Sequence, residues 1–152
     1  MGHSLGFAHL LNTPVHWESL SCLHGFLRFG TPTRVLQRMA QQLVQHPAKV
    51  LAAFQERCGL PQPELLAALP QTLPGKHPLL EHLHTLQTLN LPQERVQAQC
   101  ARLLVVTSHT DPIAPASLAP RSEQTHSIAA AHAGPALHPQ AYTQVLLPFV
   151  AN

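Results

Sequence analysis

Charge is scarce in this chain. Only 11% of its 152 residues are Asp, Glu, Lys or Arg, and the formal net charge is +2, too weak a field to argue for nucleic acid as a partner. No apolar run approaches the roughly 18 residues expected of a membrane span. The amino terminus also lacks the basic stretch followed by an apolar core that marks a secretory signal. Cys22, Cys58 and Cys100 are odd in number and far apart, which argues against a disulfide framework and for a reducing, cytoplasmic setting. Aspartate occurs once, as Asp111. The length fits one modest domain rather than two.

Proline and histidine are abundant, at 15 and 12 residues, and the prolines punctuate the chain. Residues 5–11 read as a short helix ended by Asn12-Thr13-Pro14, because proline disfavours helix in the residue before it. Residues 19–23 are a strand candidate. From Pro32 to about Gln99 the signal is helical, with Val35, Met39 and Leu43, then Val50, Leu51 and Phe54, recurring at three- and four-residue spacing. Pro47, Pro61, Pro63, Pro70, Pro74, Pro78 and Pro92 cut that region into short segments, since proline suits a helix start better than its interior. Residues 102–107 are apolar and β-branched and read as a strand. Residues 127–131 read as a second, weaker strand delivering His132 at its end, and a closing helix is expected over about 140–149.

Gly2-His3-Ser4-Leu5-Gly6 is a G-x-S-x-G pentapeptide. In such an elbow the serine sits on a sharp strand-to-helix turn, where small flanking residues let the backbone fold tightly and lift the hydroxyl; Gly2 and Gly6 are expected to provide that room. The elbow calls for a preceding strand, and none is legible ahead of residue 2. In one recurring serine-nucleophile architecture the partners follow in the order Ser, Asp or Glu, then His, each at the end of a later strand. Asp111 follows the 102–107 strand within the turn-forming run Ser108-His109-Thr110-Asp111-Pro112, and His132 precedes Ala133-Gly134-Pro135. Each residue has a plainer reading as well: Ser4 as a solvated terminal serine, Asp111 as a cap of the turn before Pro112, His132 as one histidine of many. Metal is the rival suggested by so much histidine. Residues two apart on a helix, such as His82 and His84, point to different faces, however, and His126, His132 and His138 fall on a strand, a strand end and a turn. No metal or other cofactor is expected.

Gly2-His3-Ser4-Leu5-Gly6, Leu104-Val105-Val106 leading to Asp111-Pro112-Ile113-Ala114-Pro115, and Ala131-His132-Ala133-Gly134 leading to His138-Pro139 together resemble the later half of an α/β-hydrolase. The middle of the chain is similar to the pimeloyl-acyl-carrier-protein methyl ester carboxylesterases of biotin synthesis. Gly25–Gly30, Val35–Met39, Val50–Phe54 with Cys58-Gly59, and Leu83–Leu91 carry that likeness. The resemblance implies one α/β domain over residues 1–152, a partial α/β-hydrolase fold formed by the late strands of a parallel sheet, with a helical lid over about 32–99 and the amino-terminal strands missing. It implies acyl transfer to water in two steps, with Ser4 as nucleophile, His132 as base, Asp111 as its orienting carboxylate and the Leu5 N–H as one oxyanion donor. The second donor normally comes from a loop after an early strand, so the chain is expected to be inactive alone.

The implied substrate is an acyl-chain ester, carried on an acidic carrier protein. Arg28, Arg34, Arg38, Lys49 and Arg57 are the candidate carrier contacts, with Glu56 as the one acid between Arg28 and Arg57. Ordinary solvated helix surface is the plainer reading of these cations. Two functional readings stand side by side: a serine carboxylesterase intact in a longer product, and a noncatalytic remnant or interaction fragment. A misplaced start codon, a degraded gene or a natural fragment would each account for the beginning at Met1.

Overall fold

Four parallel strands carry the architecture. In the computed structural model, which describes residues 1–60 and 78–151, β1 (Gly2–His3), β2 (Trp17–Leu23), β3 (Cys100–Thr107) and β4 (Gln124–Ser127) lie in the order β1-β2-β3-β4. Every neighbouring pair is parallel, with Gly2 opposite Cys22, Cys22 opposite Val105, and Val106 opposite His126. Seven α-helices accompany the sheet among the described residues: α1 (Leu5–Leu11), α2 (Thr33–Gln45), α3 (Pro47–Arg57), α4 (Pro78–Thr88), α5 (Gln93–Gln99), α6 (Gly134–Leu137) and α7 (Pro139–Ala151).

Side chains alternate across a strand with period two, and the core divides accordingly. Leu20, Cys22 and Val105 face Phe7 and Leu11 of α1 and Val96 of α5. Leu23, Leu104 and Val106 face the other way, against Tyr142 and Phe149 of α7. Both faces of the central strands are therefore covered, as parallel sheets require. A third cluster, Leu36 and Leu43 of α2 with Leu83 of α4, lies away from the sheet. It packs the helices that connect β2 to β3.

The expected helix over 5–11 and the strand within 17–23 are present. So are helices on both sides of the Pro47 and Pro78 breaks. The expected breaks at Pro61, Pro63, Pro70 and Pro74 lie outside the described residues. The closing helix expected over about 140–149 is present as Pro139–Ala151, and two expectations are corrected. A strand does precede the serine: β1 is two residues long and pairs with β2, too short to leave a periodic signature. The last strand is Gln124–Ser127 rather than 127–131. It is exposed and polar throughout because it bonds to β3 alone, at the sheet edge, so it has no apolar pattern to read. The closing helix runs through Pro148 to Ala151. Arg102 steadies its end by donating to the Phe149 carbonyl at 2.8 Å while its guanidinium stacks 4.8 Å from the Phe149 ring centre.

Candidate active site

Each of the four strands releases one polar residue at its carboxyl end, and these residues meet. Ser4 follows β1, His24 follows β2, and Asp111 and His132 lie in the segments after β3 and β4. Ligand sites of open parallel sheets form at that end of the strands.

Ser4 has φ 55° and ψ −130°, a conformation that non-glycine residues rarely adopt and that costs of order 1–3 kcal/mol. Its N–H donates to the Leu23 carbonyl at 3.0 Å, which holds the turn to β2. The α1 backbone passes close over β1: a Cβ on Gly2 would sit 2.6 Å from Phe7 Cα, so only glycine fits there. Gly6 differs from expectation, since a Cβ at that position meets nothing within 4 Å. The steric need rests on Gly2. Ser4 caps α1 without a side-chain capping bond; its hydroxyl lies 2.9 Å from His132 Nε2 instead.

Asp111 is 5% exposed and its four nearest donors saturate it. Oδ1 accepts the backbone N–H groups of Ile113 and Ala114 at 2.8 and 3.0 Å. Oδ2 accepts His132 Nδ1 at 2.8 Å and His24 Nδ1 at 2.6 Å. Burial on its own would raise the Asp111 pKa, but the hydrogen bonds from His132, His24 and Ala114 outweigh it and hold the carboxyl well below the usual carboxylate range. An ionised carboxylate only accepts, which places a proton on Nδ1 of both histidines, and in the neutral ring each Nε2 is then an acceptor. The Ser4 hydroxyl then donates to His132, and the Tyr142 hydroxyl donates to His24 Nε2 at 2.5 Å. Burial, followed by the charge of Asp111, pushes the Tyr142 phenol up to about 12, which keeps it protonated for that bond.

Surrounding contacts hold the His132 segment in place. Ala133 N–H donates to Cys58 O at the end of α3, and Thr110 Oγ1 donates to Ala130 O. Gly134 has no room for a side chain, because a Cβ would lie 2.4 Å from the Tyr142 hydroxyl. His3 Nε2 donates to the His132 carbonyl at 3.0 Å, and burial foremost lowers its pKa. His109, His126 and His138 are exposed.

His24 and Tyr142 escaped the sequence reading. A signal was present: the strand reading of 19–23 ends one residue before His24-Gly25, and the strand-end rule that selected Asp111 and His132 applies there equally. His24, Asp111 and His132 also offer three ligand atoms within 4.8 Å of one another, the grouping among the described residues that could hold a metal ion. Its atoms are already paired through protons, both Nδ1–H groups with Oδ2. His82 and His84 are exposed on α4, His82 with its ring 6.0 Å from that of His9.

An apolar cavity of about 200 Å³ opens beside the serine, lined by Ser4, Leu5, Phe29, Leu43, Leu83 and Leu86 among others. A second hollow, between α2 and α3, is bordered by Arg38, His46, Lys49 and Arg57. Arg34 is exposed on α2 outside that border, and Arg28 is exposed where its backbone bridges to Asn90.

No protein-family model matches the chain, and no curated protein does. Solved structures do. The chain is similar to an esterase from Exiguobacterium antarcticum, at 15% identity and a TM-score of 0.60, covering 99% of this chain and 65% of that one. A hydrolase from Pseudomonas aeruginosa PA01 gives 17% identity, a TM-score of 0.63 and coverage of 99% and 63%. The enol-lactonase from Burkholderia xenovorans LB400 gives 15%, 0.67, and 99% and 64%. The chain thus spans a little under two thirds of the length of these structures. What it shares with them is the fold, that of the α/β-hydrolases, over the part it covers.

Proposed function

We propose that this chain carries the reacting groups of a serine carboxylic ester hydrolase. The observation that carries the reading is the unbroken chain of hydrogen bonds from Ser4 Oγ to His132 Nε2, and from His132 Nδ1 to Asp111 Oδ2, at 2.9 and 2.8 Å. Ser4 attacks the ester carbonyl as His132 takes its proton. Asp111 keeps the imidazole in the Nδ1–H tautomer and stabilises the charged ring. His132 returns the proton to the leaving alcohol, then activates the water that releases the acid and regenerates Ser4. The Leu5 N–H, next in the chain after the nucleophile, is the proposed oxyanion donor.

The apolar cavity beside Ser4 suits an aliphatic acyl chain. The helices between β2 and β3, which supply most of its lining, are the proposed lid, spanning about 32–99 of a single domain. The resemblance to pimeloyl-acyl-carrier-protein methyl ester carboxylesterases narrows the substrate to a carrier-borne methyl ester of biotin synthesis. The cations Arg38, Lys49 and Arg57 around the second hollow, with Arg34 and Arg28 nearby in sequence, support an acidic carrier as the partner, steered by charge.

The test is exposure to a p-nitrophenyl alkanoate followed by intact-mass measurement at early times. With Leu5 N–H as its one proposed oxyanion donor, the chain alone is expected to acylate slowly and not to turn over, so the reading expects an acyl adduct on Ser4 that accumulates and is lost in Ser4→Ala. An equal adduct in both proteins, or none with either, overturns it.

A further inference from the structure

We propose that His24 is a positioning residue for the same reaction: held by Tyr142, it shares Asp111 Oδ2 with His132 and thereby lowers the proton affinity of the His132 ring. The inference rests on the roles given above to Ser4, Asp111 and His132, and adds one that those roles do not require.

His24 is 1% exposed, sits at φ 48° and is fixed from three sides. Its N–H donates to Val106 O at 2.8 Å, its Nδ1–H to Asp111 and its Nε2 accepts from Tyr142. A left-handed backbone and a buried imidazole are both costly. Packing alone gives no reason for an imidazole here, whereas two hydrogen bonds along one axis do. Tyr142 reaches it because Gly134 leaves space for the phenol.

The electrostatic consequence follows from the shared oxygen. Imidazolium at His132 is stabilised by the negative charge on Asp111. Each further donor on that carboxylate draws on the same charge, so a second N–H on Oδ2 weakens its hold on the His132 proton. His132 then stays neutral, and able to accept the Ser4 proton, to lower pH than it would with Asp111 to itself. The titratable groups facing the pair are His3 from β1, whose ring is 4.9 Å from that of His132 and 6.0 Å from that of His24, Asp111, Tyr142 from α7, and Cys58 from the end of α3. Burial foremost lowers the His3 pKa, and burial with the Asp111 charge pushes the Cys58 thiol up to about 11.

The experiment is an NMR titration of the His132 imidazole in the whole chain, with the ring-nitrogen shifts of His24 reporting its tautomer. His24→Ala is expected to raise the His132 midpoint by about half to one pH unit, the scale of a partial loss of one charge-assisted bond. His24→Asn, whose amide nitrogen falls where Nδ1 stands and so keeps a donor on Oδ2, should restore most of the original midpoint. Tyr142→Phe should release His24 from the single Nδ1–H tautomer and move the His132 midpoint up by a smaller amount. This last variant decides the matter alone if His24→Ala does not fold. A midpoint that is unmoved or lowered in the folded variants overturns the proposal, because a merely structural His24 would disturb stability without raising it. The titration needs no turnover. Failure of Ser4 to react would therefore count against the hydrolase reading and leave this test standing.

Discussion

His24 and His132 donate to the same oxygen of Asp111, at 2.6 and 2.8 Å. One carboxylate therefore orders two imidazoles that arrive from the ends of different strands. Replacing it should disorder both. Asp111→Asn is expected to slow the reaction of Ser4 with an ester-like inhibitor by a factor on the order of 10³ to 10⁴, the size of effect seen when an orienting aspartate loses its charge. The measurement is the rate of covalent modification at fixed inhibitor concentration. A loss below about tenfold would mean that Asp111 is a turn-forming residue and no more.

Acid should weaken the fold through the same residue. Its carboxyl is held below the usual range in the folded state, whereas an unfolded aspartate titrates near about 3.9. A depressed folded-state pKa contributes stability that is fully present above the unfolded value and lost as pH falls through the folded one. The stability gap between the parent chain and Asp111→Asn should accordingly be wide at neutral pH and narrow steadily below about pH 4. Urea midpoints across that range check it. A gap independent of pH would show that the hydrogen bonds to Asp111 do not favour its charged form.

The two glycines of the pentapeptide should behave differently. Gly2→Ala drives a methyl against the Phe7 backbone, with 2.6 Å to Cα, and should cost about 1–3 kcal/mol while slowing modification of Ser4. Gly6→Ala meets open space and should be neutral or slightly stabilising in a helix. Thermal midpoints of the two variants check both statements. Equal damage from each would place the constraint in the pentapeptide as a whole.

How far the sequence could be read follows from how each element signals itself. Residues 5–11 declared a helix because Asn12-Thr13-Pro14 stops it, and the β3 run declared a strand because it is buried on both faces and β-branched. β4 does not, since an exposed edge strand such as Gln124–Ser127 carries no apolar pattern, whereas residues 128–131 just after it are apolar. Ser4, Asp111 and His132 were legible from motif and chain order. His24 carries the same strand-end signal, but its role does not follow from it, because its pairing spans 87 residues to Asp111 and 118 to Tyr142.

Carrier recognition should separate from chemistry. Arg34 and Arg38 are four apart on α2 and both exposed, so they share a helix face. In a longer product that restores hydrolysis, reversing both to Glu should slow reaction with a carrier-linked methyl ester by about tenfold or more while leaving a small free ester nearly unaffected, and added salt should shrink the difference as exposed charges are screened. Parallel loss on both substrates, with the fold intact, would assign these arginines to the lid rather than to a carrier.

The central claim is that His132, oriented by Asp111, makes the Ser4 hydroxyl a nucleophile. A fluorophosphonate tests it most directly, because covalent capture needs the serine and its base but no complete turnover. The account predicts one phosphonyl group per chain by intact mass, mapped by peptide sequencing to Ser4, absent in Ser4→Ala and slowed at least about a hundredfold in His132→Ala. Labelling at another residue, or labelling of Ser4 that persists at the same rate without His132, would contradict it.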